Sequence, residues 1–339
     1  MGHLVCTHYI AGDFVAWLRG RCAVTTVRCI LVVAVASAAA CAVTESTDSE
    51  AAIRVILLGT GTPAVRAERM GPSLLVQAGT STMLFDAGRG TALRLQQAGV
   101  SFSDVNRIFL THLHSDHLIG LDDVWLSRWL LGRQDTPLQI WGPSGSQSLM
   151  ASLREAFRYD LHIRSSYLLE LPFEGAQASV VEIEEGTIYN DGGVTVRAFE
   201  VDHSPIEPAF GYRIDYRGRS VGFSGDTVYS DNLIENLRGV DLLIHEVAFA
   251  DEEERRNDFQ RDVVGTHTTP RIAGRVFQAT TPTLAVYTHV ITFDSSNDEI
   301  LVAETEATYS GAVIVGEDLM IIEVGDDVRV VGGESYERN

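Results

Sequence analysis

Three histidines and one aspartate fall within six residues of this chain, in the run Thr111-His112-Leu113-His114-Ser115-Asp116-His117. Neutral imidazole and carboxylate are the nitrogen and oxygen donors that zinc and similar divalent metals prefer. The run follows the apolar segment Arg107-Ile108-Phe109-Leu110, which predicts a buried strand that ends where the polar side chains begin. Two pairs of ligands so close together favour a two-metal site. Such a pair of ions would lower the pKa of a bound water and supply a hydroxide nucleophile at pH 7.

Further candidate ligands follow other apolar segments. His203 comes after the strand predicted to end at Val201, Asp226 stands in Phe223-Ser224-Gly225-Asp226-Thr227, and His289 follows Tyr287-Thr288. A single histidine at the end of a strand is more often a structural residue than a ligand. The recurrence of His or Asp at strand ends, beside the H-x-H-x-D-H run, favours a shared metal centre.

The charge and the cysteines narrow the function. The chain has 46 acidic and 26 basic residues, a net charge of -20, and every base is arginine. Because such a surface repels phosphate backbones, we expect nucleic acid not to be a partner. All four cysteines lie at or before Cys41, so the rest of the chain has neither a disulfide nor a cysteine ligand for a metal.

The first 43 residues predict export. An apolar run from Cys29 to Val43 follows Arg28 and ends in small residues, as in a signal peptide, with the start of translation placed near Val24 or Val27. Cys41 after three alanines predicts a lipoprotein signal as the alternative, and a buried N-terminal strand or helix stays open. The protein is expected to be periplasmic or lipid-anchored, and cytoplasmic if this interpretation is wrong. Residues 44–52 predict a linker.

From Ile53 onward, short apolar strands alternate with helices. A first set of strands is predicted at Arg54–Leu58, Leu74–Ala78, Thr82–Phe85, Arg107–Leu110 and Leu138–Trp141, and a second set begins at Ser179–Ile183. Two such sets predict two packed sheets with helices outside, in one α/β domain over residues 53–332.

The motifs resemble those of the metallo-β-lactamase superfamily, in the branch of ribonuclease Z and the metal-dependent arylsulfatases. The resemblance covers roughly Ile53 to Val324 and rests, besides the H-x-H-x-D-H run, on Leu58-Gly59-Thr60-Gly61-Thr62-Pro63, Phe85-Asp86-Ala87-Gly88, Val201-Asp202-His203, Phe223-Ser224-Gly225-Asp226-Thr227, Ile244-His245-Glu246 and His267-Thr268-Thr269. It implies an αββα sandwich with the active site at the edges of the sheets.

The resemblance also implies roles for individual residues. One metal ion would be bound by His112, His114 and His203, the other by Asp116, His117 and His289, with Asp226 between them. Two Zn²⁺ ions are expected, with Mn²⁺ or Fe as alternatives. Asp116, His267 and Glu246 are the predicted catalytic residues: His267 would donate a proton to the leaving group and Glu246 would orient it. A structural role for His267 stays open. Asp86 is expected to brace the loop that carries the first ligands.

The substrate is the least determined feature. Ribonuclease Z enzymes usually carry a long arm that grips tRNA, whereas here Tyr212–Ser220 leads through a tight turn into Val221–Phe223. The missing arm, the negative charge and the predicted export favour an exported, arylsulfatase-like hydrolase of small anionic sulfate or phosphate esters. The alternative is a ribonuclease Z-like phosphodiesterase that processes the 3' end of tRNA. A lactonase, a metal-binding protein without catalysis, a homodimer and a lipid anchor at Cys41 stay open.

Overall fold

Sixteen strands and nine α-helices form the part of the chain that the computed structural model describes, which is residues 51–132, 135–293, 298–332 and 335–337. The strands are β1 Ile53–Gly59, β2 Ser73–Ala78, β3 Ser81–Phe85, β4 Arg107–Phe109, β5 Leu138–Gly142, β6 Ala178–Glu182, β7 Gly186–Asp191, β8 Val194–Val201, β9 Ala209–Tyr216, β10 Arg219–Phe223, β11 Leu242–Phe249, β12 Leu284–Thr292, β13 Val313–Val315, β14 Ile321–Val324, β15 Asp327–Val330 and β16 Ser335–Glu337.

The α-helices are α1 Thr91–Gln97, α2 Ser115–Leu118, α3 Leu121–Leu131, α4 Ser146–Ala156, α5 Arg158–Ile163, α6 Asp231–Leu237, α7 Asp258–Gly265, α8 Pro270–Thr280 and α9 Asp298–Glu306. The predicted signal segment, residues 1–43, lies outside the described residues. Within the described ranges, none of the helices combines the length and the apolar character that a membrane span requires.

The strands form two mixed sheets. The first sheet has the order β16-β15-β14-β1-β2-β3-β4-β5-β6, and the second has the order β13-β12-β11-β10-β9-β8-β7. Each sheet is buried on both faces, so its central strands are apolar almost throughout. In β1, Ile53, Val55 and Leu57 point into the core between the sheets, whereas Ile56 and Leu58 point to the outer face. This alternation follows from the two-residue period of a strand.

Helices cover the outer face of each sheet. Trp125 and Trp129 of α3 pack on the first sheet in one apolar cluster, together with residues of α1 and α4. Phe277 of α8 packs on the second sheet, together with residues of α6 and α9. The layers are therefore helix, sheet, sheet, helix, and the predicted αββα sandwich is confirmed.

The sheet to which some strands belong differs from the prediction. Residues Ser179–Ile183 were expected to open the second set, but β6 pairs in parallel with β5 at the edge of the first sheet. The chain also returns to the first sheet at its end, where β14 pairs with β1, and β16 extends the sheet beyond residue 332. The apolar pattern of a strand identifies it as a strand but carries no information about its partner, which explains this difference.

Strand direction gathers the polar strand ends at one place. Strands β10, β11 and β12 are parallel, and β8 runs in the same direction because β9 is antiparallel to both of its neighbours. Their carboxyl ends therefore lie along one edge of the second sheet. The first sheet meets this edge after β4, where the N–H of Phe210 donates to the carbonyl of Thr111 at 2.9 Å. Gly225 lies at the junction with φ +61°, and a Cβ there would lie 2.5 Å from the carbonyl oxygen of Phe210.

Candidate metal centre

Asp86, directly after β3, holds the histidine run in place. Its fully buried carboxylate accepts hydrogen bonds from the N–H and the Oγ1 of Thr111, both at 2.8 Å. The other contact is Nδ1 of His117, 2.8 Å from Oδ2. Because a carboxylate only accepts, Nδ1 of His117 carries a proton and its Nε2 is turned toward the other ligands. The predicted brace is confirmed.

Four predicted ligands form a first cluster: His112, His114, His203 and Asp226. One donor atom from each lies within 4.8 Å of all the others. Nδ1 of His114 is 2.9 Å from Nε2 of His112 and 3.2 Å from Nε2 of His203. Oδ2 of Asp226 completes the cluster at 3.7 Å from Nε2 of His112.

A backbone carbonyl sets the orientation of His203. Its Nδ1 lies 3.0 Å from the carbonyl oxygen of Thr266, in the loop after α7. Since a carbonyl cannot donate, Nδ1 of His203 carries the proton and Nε2 presents a lone pair to the cluster. Sequence reasoning missed the role of Thr266, and no residue type could have indicated it, because the group that acts belongs to the backbone.

The other three predicted ligands, Asp116, His117 and His289, form a second cluster. Oδ2 of Asp116 is 3.2 Å from Nε2 of His289 and 3.7 Å from Nε2 of His117. Oδ2 of Asp226 is also 3.2 Å from Nε2 of His117 and 3.3 Å from Nε2 of His289. A single carboxylate oxygen of Asp226 therefore faces both clusters, in the position that the resemblance implies for a residue shared by two ions.

Burial controls the protonation of the first cluster. Burial lowers the pKa of His112 and of His114, and the neighbouring imidazoles lower both further. Burial also lowers the pKa of His203, against the opposing charge of Asp226. These three rings are therefore neutral at pH 7, which is the form that binds metals.

In the second cluster, the charges of neighbouring groups affect the pKa values more than burial does. Burial lowers the pKa of His117, but the carboxylates of Asp226 and Asp86 outweigh it and hold that pKa well above its usual value. Burial raises the pKa of Asp226, but the nearby His289 and His117 outweigh it and hold that pKa well below its usual value. A metal ion that binds Nε2 of His117 would displace a proton.

The donors fit divalent metal ions. The lone pair of Nε2 of His203 points at Nδ1 of His114, which also has Nε2 of His112 at hydrogen-bonding distance. Imidazole nitrogens at this separation repel one another unless a proton or a cation lies between them. The neutral imidazoles of the first cluster, beside the ionised carboxylate of Asp226, are the donors that zinc and similar divalent metals prefer.

His267 and Glu246 lie next to both clusters. Nδ1 of His267 is 3.3 Å from Oε2 of Glu246, and Oε1 of Glu246 accepts a hydrogen bond from the N–H of Thr268 at 2.6 Å. Burial lowers the pKa of His267, but the charge of Glu246 outweighs it and raises that pKa to about 9. His267 also lies within 4.8 Å of Asp226 and His289, so it could serve as a further ligand. Its role as a proton donor stays a prediction.

The turn after β9 has the form that the sequence indicated. Tyr216 pairs with Arg219, so only Arg217 and Gly218 join β9 to β10. Gly218 has φ +74°, which suits a two-residue hairpin turn. Between His203 and Asp226 the chain therefore has no arm that extends from the domain.

Comparisons with known proteins give a consistent result. Residues 81–290 match the family described as "Beta-lactamase superfamily domain". The chain is 34% identical over 280 residues to ribonuclease Z of Mycobacterium avium (strain 104), a match that covers 80% of this chain and 98% of that protein.

Among solved structures, the metallo-β-lactamase fold protein YhfI from Bacillus subtilis matches with a TM-score of 0.63 and 20% identity, over 79% of this chain and 98% of that one. The short form of human tRNase Z matches with a TM-score of 0.61 and 22% identity, over 80% of this chain and 99% of that one. These two likenesses are to the fold.

Proposed function

This chain belongs to the metallo-β-lactamase superfamily, and from that premise we propose that it is a phosphodiesterase of the ribonuclease Z type that processes tRNA. It is a metal-dependent hydrolase. The observation that carries the finer proposal is the 34% identity to a ribonuclease Z over nearly the whole length of that protein. The metal donors by themselves would serve any phosphodiester, so the substrate class rests on this likeness.

The prediction that nucleic acid is not a partner is wrong. The relatives at 34% identity are named ribonuclease Z, so RNA belongs among the expected partners of this chain. The net charge of -20 misled the prediction because it is summed over the whole chain. Recognition of a phosphodiester depends on the potential at the site, where bound cations supply the largest local charges.

The exported arylsulfatase that the sequence favoured has no support in the comparisons, and they favour the alternative, a ribonuclease Z-like phosphodiesterase. Export itself stays a prediction, because residues 1–43 lie outside the described residues. A lipid anchor at Cys41 stays a prediction for the same reason.

We assign the ligands as two sets with a shared member. His112, His114 and His203 would hold one ion, Asp116, His117 and His289 the other, and Asp226 would contact both. Divalent ions bound by these donors, Zn²⁺ by our assignment, supply Lewis acidity that lowers the pKa of water and offsets the charge of the phosphodiester. The protein supplies the orientation: Asp86 fixes His117, and the Thr266 carbonyl fixes His203.

His267 would supply the proton that the leaving oxygen needs. With a pKa raised to about 9, its ring is protonated at neutral pH and can act as a general acid. Glu246 would keep Nδ1 of His267 protonated, which leaves Nε2 to donate. The leaving group of RNA cleavage is a ribose oxygen, a poor leaving group that gains much from such a proton.

The short turn between β9 and β10 favours a second candidate, a phosphodiesterase for small substrates. A domain without an arm has less surface with which to hold a folded RNA. The two candidates share the chemistry at the metal centre and differ in the size of the substrate.

The deciding experiment compares pre-tRNA, a bis-aryl phosphate and an aryl sulfate as substrates of the full chain in the presence of zinc, with Asp116→Ala as the control. Cleavage of pre-tRNA at its 3' side, abolished in the control, is expected. Turnover of the bis-aryl phosphate without any cleavage of pre-tRNA would refute the tRNA assignment and favour the second candidate.

A further inference from the structure

His289 has a strained backbone. Its φ is +44°, in the left-handed region that residues with a side chain seldom adopt. On the adjacent strand, Glu246 pairs with Thr288 and Val247 pairs with Val290, so His289 is the extra residue of a β-bulge. The bulge lets His289 leave the alternation of β12 and join the second cluster. Such a conformation persists only where neighbouring contacts hold it.

One hydrogen bond between the sheets holds the next residue. The N–H of Val290 donates to the carbonyl of Thr60 at 2.9 Å. Thr60 directly follows β1 in the first sheet and is fully buried. This bond fixes the peptide plane between His289 and Val290, and with it the ψ angle of His289. The position of Thr60 therefore helps to determine where His289 points.

Asp318 holds Thr60. Oδ1 of Asp318 accepts from the N–H and from the Oγ1 of Thr60, both at 2.9 Å. Oδ2 accepts from the N–H of Met70 at 2.7 Å and from Nε and Nη2 of Arg94 at 3.1 and 2.8 Å. The side chain of Asp318 is 4% exposed. A buried carboxylate with five donors ties both ends of the loop between β1 and β2, and helix α1, to one point.

We propose that Asp318 is a positioning residue that sets the metal ligand His289 through Thr60 and Val290. The polar partners of Asp318 are Thr60, Met70 and Arg94, none of which is a predicted ligand, and Asp318 acts by fixing the carbonyl to which Val290 is bonded. The proposal rests on the proposed function only in taking His289 as a ligand. The hydrogen bonds that connect Asp318 to Thr60, and Thr60 to Val290, do not depend on which substrate is cleaved.

The first test is hydrogen exchange at the Val290 amide in the metal-free full chain, which requires neither metal nor substrate. In Asp318→Asn the amide nitrogen cannot accept, so donors from Thr60, Met70 or Arg94 lose their partner. Exchange at Val290 is expected to accelerate by about tenfold or more, because the carbonyl that protects it is no longer held.

Asp241→Asn is the matched control. Asp241 is also buried, at 2% exposure, and its carboxylate also accepts from the N–H and the hydroxyl of one residue, Ser220, at 2.8 and 3.1 Å. It precedes β11, at the end of the strand away from the metal centre. Asp241→Asn is expected to destabilise the protein without a selective change in exchange at Val290.

The second test is zinc affinity by competition with a chelator. Asp318→Asn is expected to weaken binding at the His289 side by about 10–100-fold, a typical effect of removing a group that orients a ligand. His289→Ala is expected to lose the same ion, whereas Asp241→Asn should keep wild-type affinity. The remaining ion, held by the first cluster, should be unaffected in Asp318→Asn.

Unchanged exchange at Val290 in Asp318→Asn would overturn the proposal, as would equal acceleration in the Asp241→Asn control. If Asp318→Asn does not fold, Arg94→Gln is the second variant, because it removes two of the five donors to Asp318. It should also accelerate exchange at the Val290 amide. Unchanged exchange in Arg94→Gln would refute the proposal. A wild-type chain that fails to cleave pre-tRNA would refute the proposed substrate and leave the exchange result to decide the role of Asp318.

Discussion

Replacement of His267 by alanine should have an effect that depends on the leaving group. The pKa of His267 is raised from 6.5 to about 9, which corresponds to about 3 kcal/mol in favour of the protonated ring. A ribose oxygen needs that proton in order to leave, whereas an aryl oxide is stable without it. We therefore expect His267→Ala to lower kcat on pre-tRNA by about 10²–10⁴-fold, the usual range for a general acid.

The same replacement should lower kcat on a bis-aryl phosphate by less than about tenfold, because little proton transfer is needed there. The assay is multiple-turnover cleavage of both substrates at saturating concentration by zinc-loaded enzyme, with zinc content measured for each preparation. His162→Ala is the matched control: His162 is exposed on α5, and its loss should change neither rate.

Equal losses on the two substrates, with zinc retained, would refute the role of His267 as proton donor. Loss of zinc in His267→Ala would instead make it a ligand, as its place within 4.8 Å of Asp226 and His289 allows. Either outcome would leave the assignment of the other seven side chains in place.

Glu246→Gln should lower the pKa of His267, because burial would then act with less opposition, so the fall in kcat with rising pH should move to lower pH than in the wild type. An unmoved pH profile would contradict this. Asp86→Asn should weaken zinc binding by about 10–100-fold in a chelator competition, since the carboxylate that orients His117 is lost. Gly225→Ala should lower the free energy of unfolding of the metal-free protein by at least about 1–3 kcal/mol in urea, because Gly225 has φ +61° and a Cβ would lie 2.5 Å from the Phe210 carbonyl. If Gly225→Ala unfolds at the same urea concentration as the wild type, the expected destabilisation is wrong.

Most of the fold and all of the proposed ligands could be predicted from local sequence. The first set of predicted strands corresponds to β1–β5, and the predicted ligands converge in two clusters. Both predictions were possible because an apolar strand followed by His or Asp is a pattern of neighbouring residues, which can be read from the sequence alone. The membership of β6 and β14 could not be predicted, because pairing is decided between residues far apart in the chain.

The sequence by itself identified the candidate metal donors of this protein, because the H-x-H-x-D-H run, His203, Asp226 and His289 stand out by residue type and by their places at strand ends. Tertiary structure alone decided how those donors are oriented. The Thr266 carbonyl that sets the tautomer of His203 has no side-chain signature, because every residue has a carbonyl. Asp318 and Thr60 are 258 positions apart, and only the packing of the two sheets makes one of them the support of the other.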